Sequence, residues 1–176
     1  MIDQLKIRHH GHPALRMKCH LIRNFTPLLS DISNKMFDLM KGIGIGLAAP
    51  QIGIPWQMFV VDLGKPKVFI NPVIKPDLTR IAIHNEGCLS LPGFKLDIPR
   101  PRDIYIEYVD LLGKPHKAKY AGMYSRCIQH EYDHLKGKLI TDFGNLQFPQ
   151  YEPTEEEIKQ LIFWDKHNDL EPHCNA

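Results

Sequence analysis

Between Thr26 and Lys41 the apolar residues Leu28, Leu29, Ile32, Met36, Phe37, Leu39 and Met40 return at helical spacing. That repeat belongs to a helix with one buried face. Thr26-Pro27 supplies a cap and a first helical position, and Gly42 a stop. A Gly-rich run follows from Gly42 to Gly53, and then the pattern changes to that of strands. Gln57–Leu63 is rich in Val and Phe, and shorter strands are expected at 67–70, 79–85 and 103–110. Ile104-Tyr105-Ile106-Glu107-Tyr108-Val109 carries the strongest strand formers, and a weaker strand is read at 115–120. Gly122 and Met123 open a second helix ending near Gly137, with Cys127, Ile128 and Leu135 on its apolar side. Beyond Pro149 and Pro153, Thr154-Glu155-Glu156-Glu157 resembles a capping box and predicts a last helix to about Asp165. These elements predict an α+β fold: several short, mainly antiparallel strands packed around the helix at 122–137, with an N-terminal and a C-terminal helix. Strands and helices do not alternate, which argues against a doubly wound sheet.

A chain of 176 residues fits one domain with a core of its own, here residues 1–176. A net charge of +2 is too small to call for nucleic acid or a membrane surface. The first ten residues contain no signal-like apolar run, and no stretch approaches the roughly 18 apolar residues of a membrane helix. Cysteines stand at 19, 88, 127 and 174 without Cys-x-x-Cys spacing, so thiols used singly are expected in an intracellular protein. His9-His10-Gly11-His12 is read as an exposed arm.

The chemistry concentrates in Gln129-His130-Glu131-Tyr132-Asp133-His134. On a helix, two histidines four residues apart share a face and reach one metal ion, and Glu131 sits where it can move a proton. The third ligand is open. A histidine at 140 would complete a longer protease pattern, but the residue is Ile140. Glu155, Glu156 and Glu157 offer a downstream carboxylate, as in a zinc peptidase, although an acidic first turn complementing the helix dipole explains them as well. Cys88, in Glu86-Gly87-Cys88-Leu89-Ser90-Leu91-Pro92-Gly93, offers a thiolate, and Cys127 a competing one.

Three blocks now bear on that choice. Gly44-Ile45-Gly46-Leu47-Ala48-Ala49-Pro50-Gln51, Glu86-Gly87-Cys88-Leu89-Ser90 and Gln129-His130-Glu131-Tyr132-Asp133-His134-Leu135 occur in the order and at the spacing of the peptide deformylases, and the chain resembles that family over about 27–140. The resemblance implies a divalent metal ion held by Cys88, His130 and His134: Fe(II) in the cell, with Zn(II) or Ni(II) compatible with the same donors. It implies Glu131 as the proton carrier, with the Gln51 amide and the Leu89 backbone N–H as oxyanion donors. Gly44, Ile45 and Gly46 would pair with extended substrate, with Gly87, Arg126 and Cys127 beside it. The implied reaction removes the N-terminal formyl group from formyl-methionyl peptides of newly made proteins, releasing formate, in bacterial cytoplasm or an organelle. Transient ribosome contact through the last helix, and no membrane or specific nucleic-acid partner, go with it.

Two further expectations follow. Glu86 and Arg100 are read as a buried ion pair bracing the Cys88 loop. Arg126 shares the ligand face, one turn before His130, where its guanidinium would swing to solvent, narrow the first side-chain pocket or favour acidic side chains. A divergent deacylase with altered side-chain preference is the alternative. Beyond residue 141, and at His12-Pro13-Ala14-Leu15-Arg16, the likeness thins.

Overall fold

The computed structural model describes residues 2–144, 154–156, 159, 163 and 164. Helix α1 spans Pro27–Met40 with Thr26 as its N-cap, as its periodicity requires. Helix α2 spans Gly122–Leu135 and carries the His-Glu-x-x-His run. Between them lies one sheet in the order β1-β2-β3-β4-β5, every neighbouring pair antiparallel. Its strands are β1 (Gly46–Ala48), β2 (Met58–Asp62), β3 (Pro66–Cys88), β4 (Leu91–Val109) and β5 (Pro115–Ala121). The α+β class stands.

Alternate residues of β1 and β2 feed two cores, because successive strand side chains point to opposite faces. Leu47, Met58 and Val60 join Leu29, Ile32, Met36 and Met40 of α1. Ala48, Phe59 and Val61 face the other way, onto Cys127, Ile128 and Leu135 of α2. The sheet edge at β1 is thereby clamped between two helices, and α2 is fixed beside it.

The expectation of short strands fails for β3 and β4. The segments read at 67–70 and 79–85 are parts of one 23-residue strand, and β4 begins twelve residues before the expected 103. Pro72, Pro76, Pro92, Pro99 and Pro101 lie within these two strands. Pro72 falls in the register shift between Ile70 and Val73, while Pro99 and Pro101 pair with Ile83 and Ile81. There β5 no longer covers β4, since it pairs only with 103–109. On such an uncovered edge a proline withholds no ladder bond. Glu155, Glu156, Lys159, Phe163 and Trp164 have helical backbone, but the bounds expected for the last helix fall outside the described residues. Trp164 is buried, its ring 5.5 Å from and nearly perpendicular to that of Trp56, and its carbonyl accepts from the Trp56 indole N–H at 3.1 Å. Among the described residues no helix is long and apolar enough to cross a membrane.

Candidate metal centre and peptide groove

Helix α2 presents Arg126, Cys127, His130, Glu131 and His134 toward the end of β3, where Cys88 is the last strand residue. Ligand atoms of Cys88, His130 and His134 lie within 4.8 Å of one another, and Cys88 Sγ is 3.3 Å from His134 Nε2. The two rings stand crosswise, their centroids 5.1 Å apart at 75°. Among the described residues neither alternative third ligand joins the group. Glu155 and Glu156 are exposed, and Glu157 lies outside the described residues. Cys127 is buried against the Ile45 carbonyl, 3.7 Å away. Burial, reinforced by the charges of Glu131 and Glu86, pushes its thiol well above the ordinary range, the reverse of what a metal thiolate needs.

The surroundings complete a metal-site design. The Nδ1 of His130 is 3.0 Å from Glu86 Oε2. Donation of the Nδ1 proton to that carboxylate leaves Nε2 as the lone-pair nitrogen, the usual outer-shell arrangement of a metal histidine. Burial favours neutral His130, but contacts with Cys88, Glu86 and Glu131 outweigh it and hold the pKa near 10. His134, driven down by burial and then by His130, stays neutral. A thiolate and two imidazoles within reach of one point are a donor set that fits a divalent ion.

Glu86 is itself pinned. Arg100 Nε and an Arg100 terminal nitrogen donate to its two oxygens at 2.7 and 3.0 Å, and Arg126 donates to Oε1 at 2.5 Å. Burial raises its carboxyl, yet hydrogen bonds from His130 and Arg100 bring it down to about 2. The expected Glu86–Arg100 pair is present and buried. Arg100 also reaches Asp133 at 2.7 Å, tying β3, β4 and α2 together.

Beside this centre runs a groove of about 920 Å³ lined by every residue the sequence placed near substrate: Gly44, Ile45, Gly46, Gly87, Arg126 and Cys127. One wall is the segment 43–46, which leads into β1, an edge strand of the sheet. Glu131 is buried and lines the groove, its Oε2 holding no hydrogen-bond partner among the described residues and burial raising its pKa to about 7. Gln51 is also buried. Its carbonyl accepts from Ala48 N at 2.8 Å, which aims its NH₂ group at Cys88 Sγ (3.6 Å) and Ser90 Oγ (3.2 Å). Leu89 lines the same groove and packs under Gly44.

Two of these placements depart from expectation. Arg126 does not leave for solvent; its guanidinium is buried on Glu86, the Ala82 carbonyl (2.6 Å) and the Ile98 carbonyl (3.0 Å). The histidine arm is not a free appendage: Arg8 N donates to Gln51 O at 2.7 Å and His10 N to Ser90 O at 2.8 Å. The arm therefore sutures the segments bearing Gln51 and Cys88, and Ile7 and His9 line the groove. Sequence reading missed Ser90, Asp133 and this arm. Asp133 lay in the metal motif itself, but its long-range partner on β4 leaves no periodic signal.

Comparison with known proteins bears on what this centre is. The polypeptide deformylase profile matches residues 4–147. The chain belongs to the polypeptide deformylase family. It is accordingly a hydrolase that removes the N-formyl group of peptides. A peptide deformylase of Prochlorococcus marinus is 41% identical over 146 residues, 79% of this chain and 72% of that relative. The crystal structure of the Thermotoga maritima deformylase superposes with a TM-score of 0.76 at 34% identity, covering 85% of this chain and 98% of the other. The Synechococcus elongatus deformylase in complex with actinonin gives 0.76 at 36% identity, covering 93% and 85%. Family membership makes the deformylase metal-dependent, and Cys88, His130 and His134 form the group able to hold the ion.

Proposed function

We propose that this deformylase acts on formyl-methionyl peptides of newly made proteins, with a ferrous ion on Cys88, His130 and His134. The reading rests on one observation above the rest: among the described residues three ligand atoms, an unpartnered buried carboxylate oxygen and an aimed amide meet at an edge-strand groove. When bound, the ion supplies Lewis-acid polarisation of the formyl carbonyl and acidifies water.

The rest of the chemistry belongs to the chain. The peptide lies along β1, where main-chain hydrogen bonds hold it without regard to side-chain identity. Glu131 Oε2 takes the proton of the attacking water. With a pKa near 7, the carboxyl can release it again to the departing amine nitrogen as the C–N bond breaks, giving formate and a free N-terminus. The Gln51 amide and the Leu89 N–H donate to the oxygen on which negative charge grows; each such donor is worth about 2.7–4 kcal/mol of barrier. Burial of Glu131 and Gln51 keeps bulk water from weakening these interactions. A cytoplasmic or organellar location, with transient ribosome contact, follows from the substrate.

The test is formate release by anaerobically prepared protein from formyl-Met-Ala, with acetyl-Met-Ala alongside. The parent should release formate and leave the acetyl peptide intact, and Glu131→Gln should lose about 10²–10⁴-fold in rate while retaining its metal. Formate production undiminished in Glu131→Gln would remove that residue from the chemistry.

A further inference from the structure

Glu86 carries more cation than a single brace requires. Arg100 already holds both of its oxygens, through Nε on Oε1 at 2.7 Å and a terminal nitrogen on Oε2 at 3.0 Å. Arg126 sets a second guanidinium on Oε1 at 2.5 Å, and His130 Nδ1 meets Oε2 at 3.0 Å. An ionised carboxylate has about four lone-pair sites, so these contacts saturate it. Glu86, Arg100 and Arg126 are all buried, and Asp133, the other partner of Arg100, is mostly so. Two guanidiniums thus stand against two carboxylates, and the cluster is neutral. With Arg100 alone it would hold one negative charge in surplus, next to a metal ligand.

That surplus would favour a bound cation, since charges interact more strongly where water is excluded. A carboxylate that accepts from a ligating histidine also raises the basicity of that ligand. A second guanidinium on the same carboxylate draws that negative charge away. Both effects of Arg126 therefore run against the ion. Its mechanical contribution is largely duplicated. Without it Arg100 keeps two bonds to Glu86, and α2 stays tied to β4 by Arg100–Asp133 and by Gln129 Nε2 on the Pro101 carbonyl at 2.8 Å. We propose that Arg126 loosens the hold of Cys88, His130 and His134 on their divalent ion, by sharing the charge of Glu86 and so weakening His130 as a donor. Arg126 acts through Glu86 and is a positioning residue, not a ligand. A less donating ligand leaves the ion a stronger Lewis acid. The proposal rests on the reading of those three side chains as the metal ligands.

The experiment measures Zn(II) affinity of the parent, Arg126→Gln and Arg126→Lys by competition with a chromophoric chelator. Arg126→Gln removes the charge and keeps an N–H donor; it should bind Zn(II) about tenfold more tightly than the parent and surrender it more slowly. Arg126→Lys keeps the charge and should stay near the parent. A merely structural role has the opposite sign, because lost packing or lost bonds would weaken binding in both variants. An affinity in Arg126→Gln equal to or below the parent's overturns the proposal, as does equal tightening in Arg126→Lys. Should Arg126→Gln not fold, Arg126→Met, neutral and unbranched, takes its place under the same two criteria. A parent that binds no Zn(II), or a Cys88→Ala that binds it as the parent does, overturns the ligand reading and this proposal with it. Failure of Arg126→Gln alone leaves the ligand reading standing.

Discussion

A methyl group on Gly46 has nowhere to go. Its carbon would sit 2.5 Å from Glu131 Oε1 and 2.7 Å from Cys127 Sγ, so the glycine is what lets the edge strand and the metal helix close on each other. Gly46→Ala must displace the carboxylate, and misplacement of a reacting group by about an ångström costs on the order of 10²-fold. We expect formate release to fall by about that factor with metal content unchanged; a variant at full rate would show that Glu131 need not hold its position. At this scale the sequence was readable wherever chemistry was local. His130, Glu131 and His134 announce themselves by spacing on one helix. Cys88 did not, because its partners lie more than forty residues away, and only the family blocks singled it out. Ser90 and Asp133 carried no signal, since each acts through long-range hydrogen bonds or an ion pair.

The elements were legible in proportion to their amphipathicity. Helix α1 ends where its apolar repeat ends, and α2 stops two residues before Gly137. Gly137 turns with φ +71°, and a Cβ there would meet the Arg16 backbone oxygen at 2.6 Å. Gly137→Ala therefore combines a left-handed penalty of about 1–2 kcal/mol with a clash against immobile backbone. Its melting temperature should drop by several degrees, at about 2–4 °C per kcal/mol; a variant melting with the parent would contradict the close approach. The β3–β4 hairpin was the least legible element. Five prolines mask it, and what allows them (an uncovered strand edge and register shifts) is decided by where β5 stops, which no local pattern reports.

Across the molecule, one buried charge network joins the sheet to the metal helix. Arg100 bonds Glu86 and Asp133, and Glu86 bonds His130. Arg100→Leu leaves Glu86 held by Arg126 and His130 alone and Asp133 without its ion-pair partner, a loss at the lower end of about 3–5 kcal/mol, and should loosen metal binding through His130. The pH dependence follows. Glu86, held near 2 against an ordinary 4.5, stabilises the fold fully above about pH 4.5, and that contribution drains as pH falls toward 2. In Arg100→Leu the carboxyl should protonate earlier, so the acid-unfolding midpoint should move to higher pH; an unmoved midpoint would remove the network from the stability account. The α+β class was evident from the order of elements. How the sheet edge is clamped between two helices was not, because the alternation that does it occupies only Leu47-Ala48 and Met58-Phe59-Val60-Val61.

The most direct test of the whole account is an anaerobic titration of the metal-stripped protein with Fe(II), following formate release from formyl-Met-Ala. Activity should be absent at the start, rise linearly and break at one ion per chain, with Cys88→Ala showing no such rise. Formate release before any metal is added, or an undiminished titration in Cys88→Ala, would contradict it.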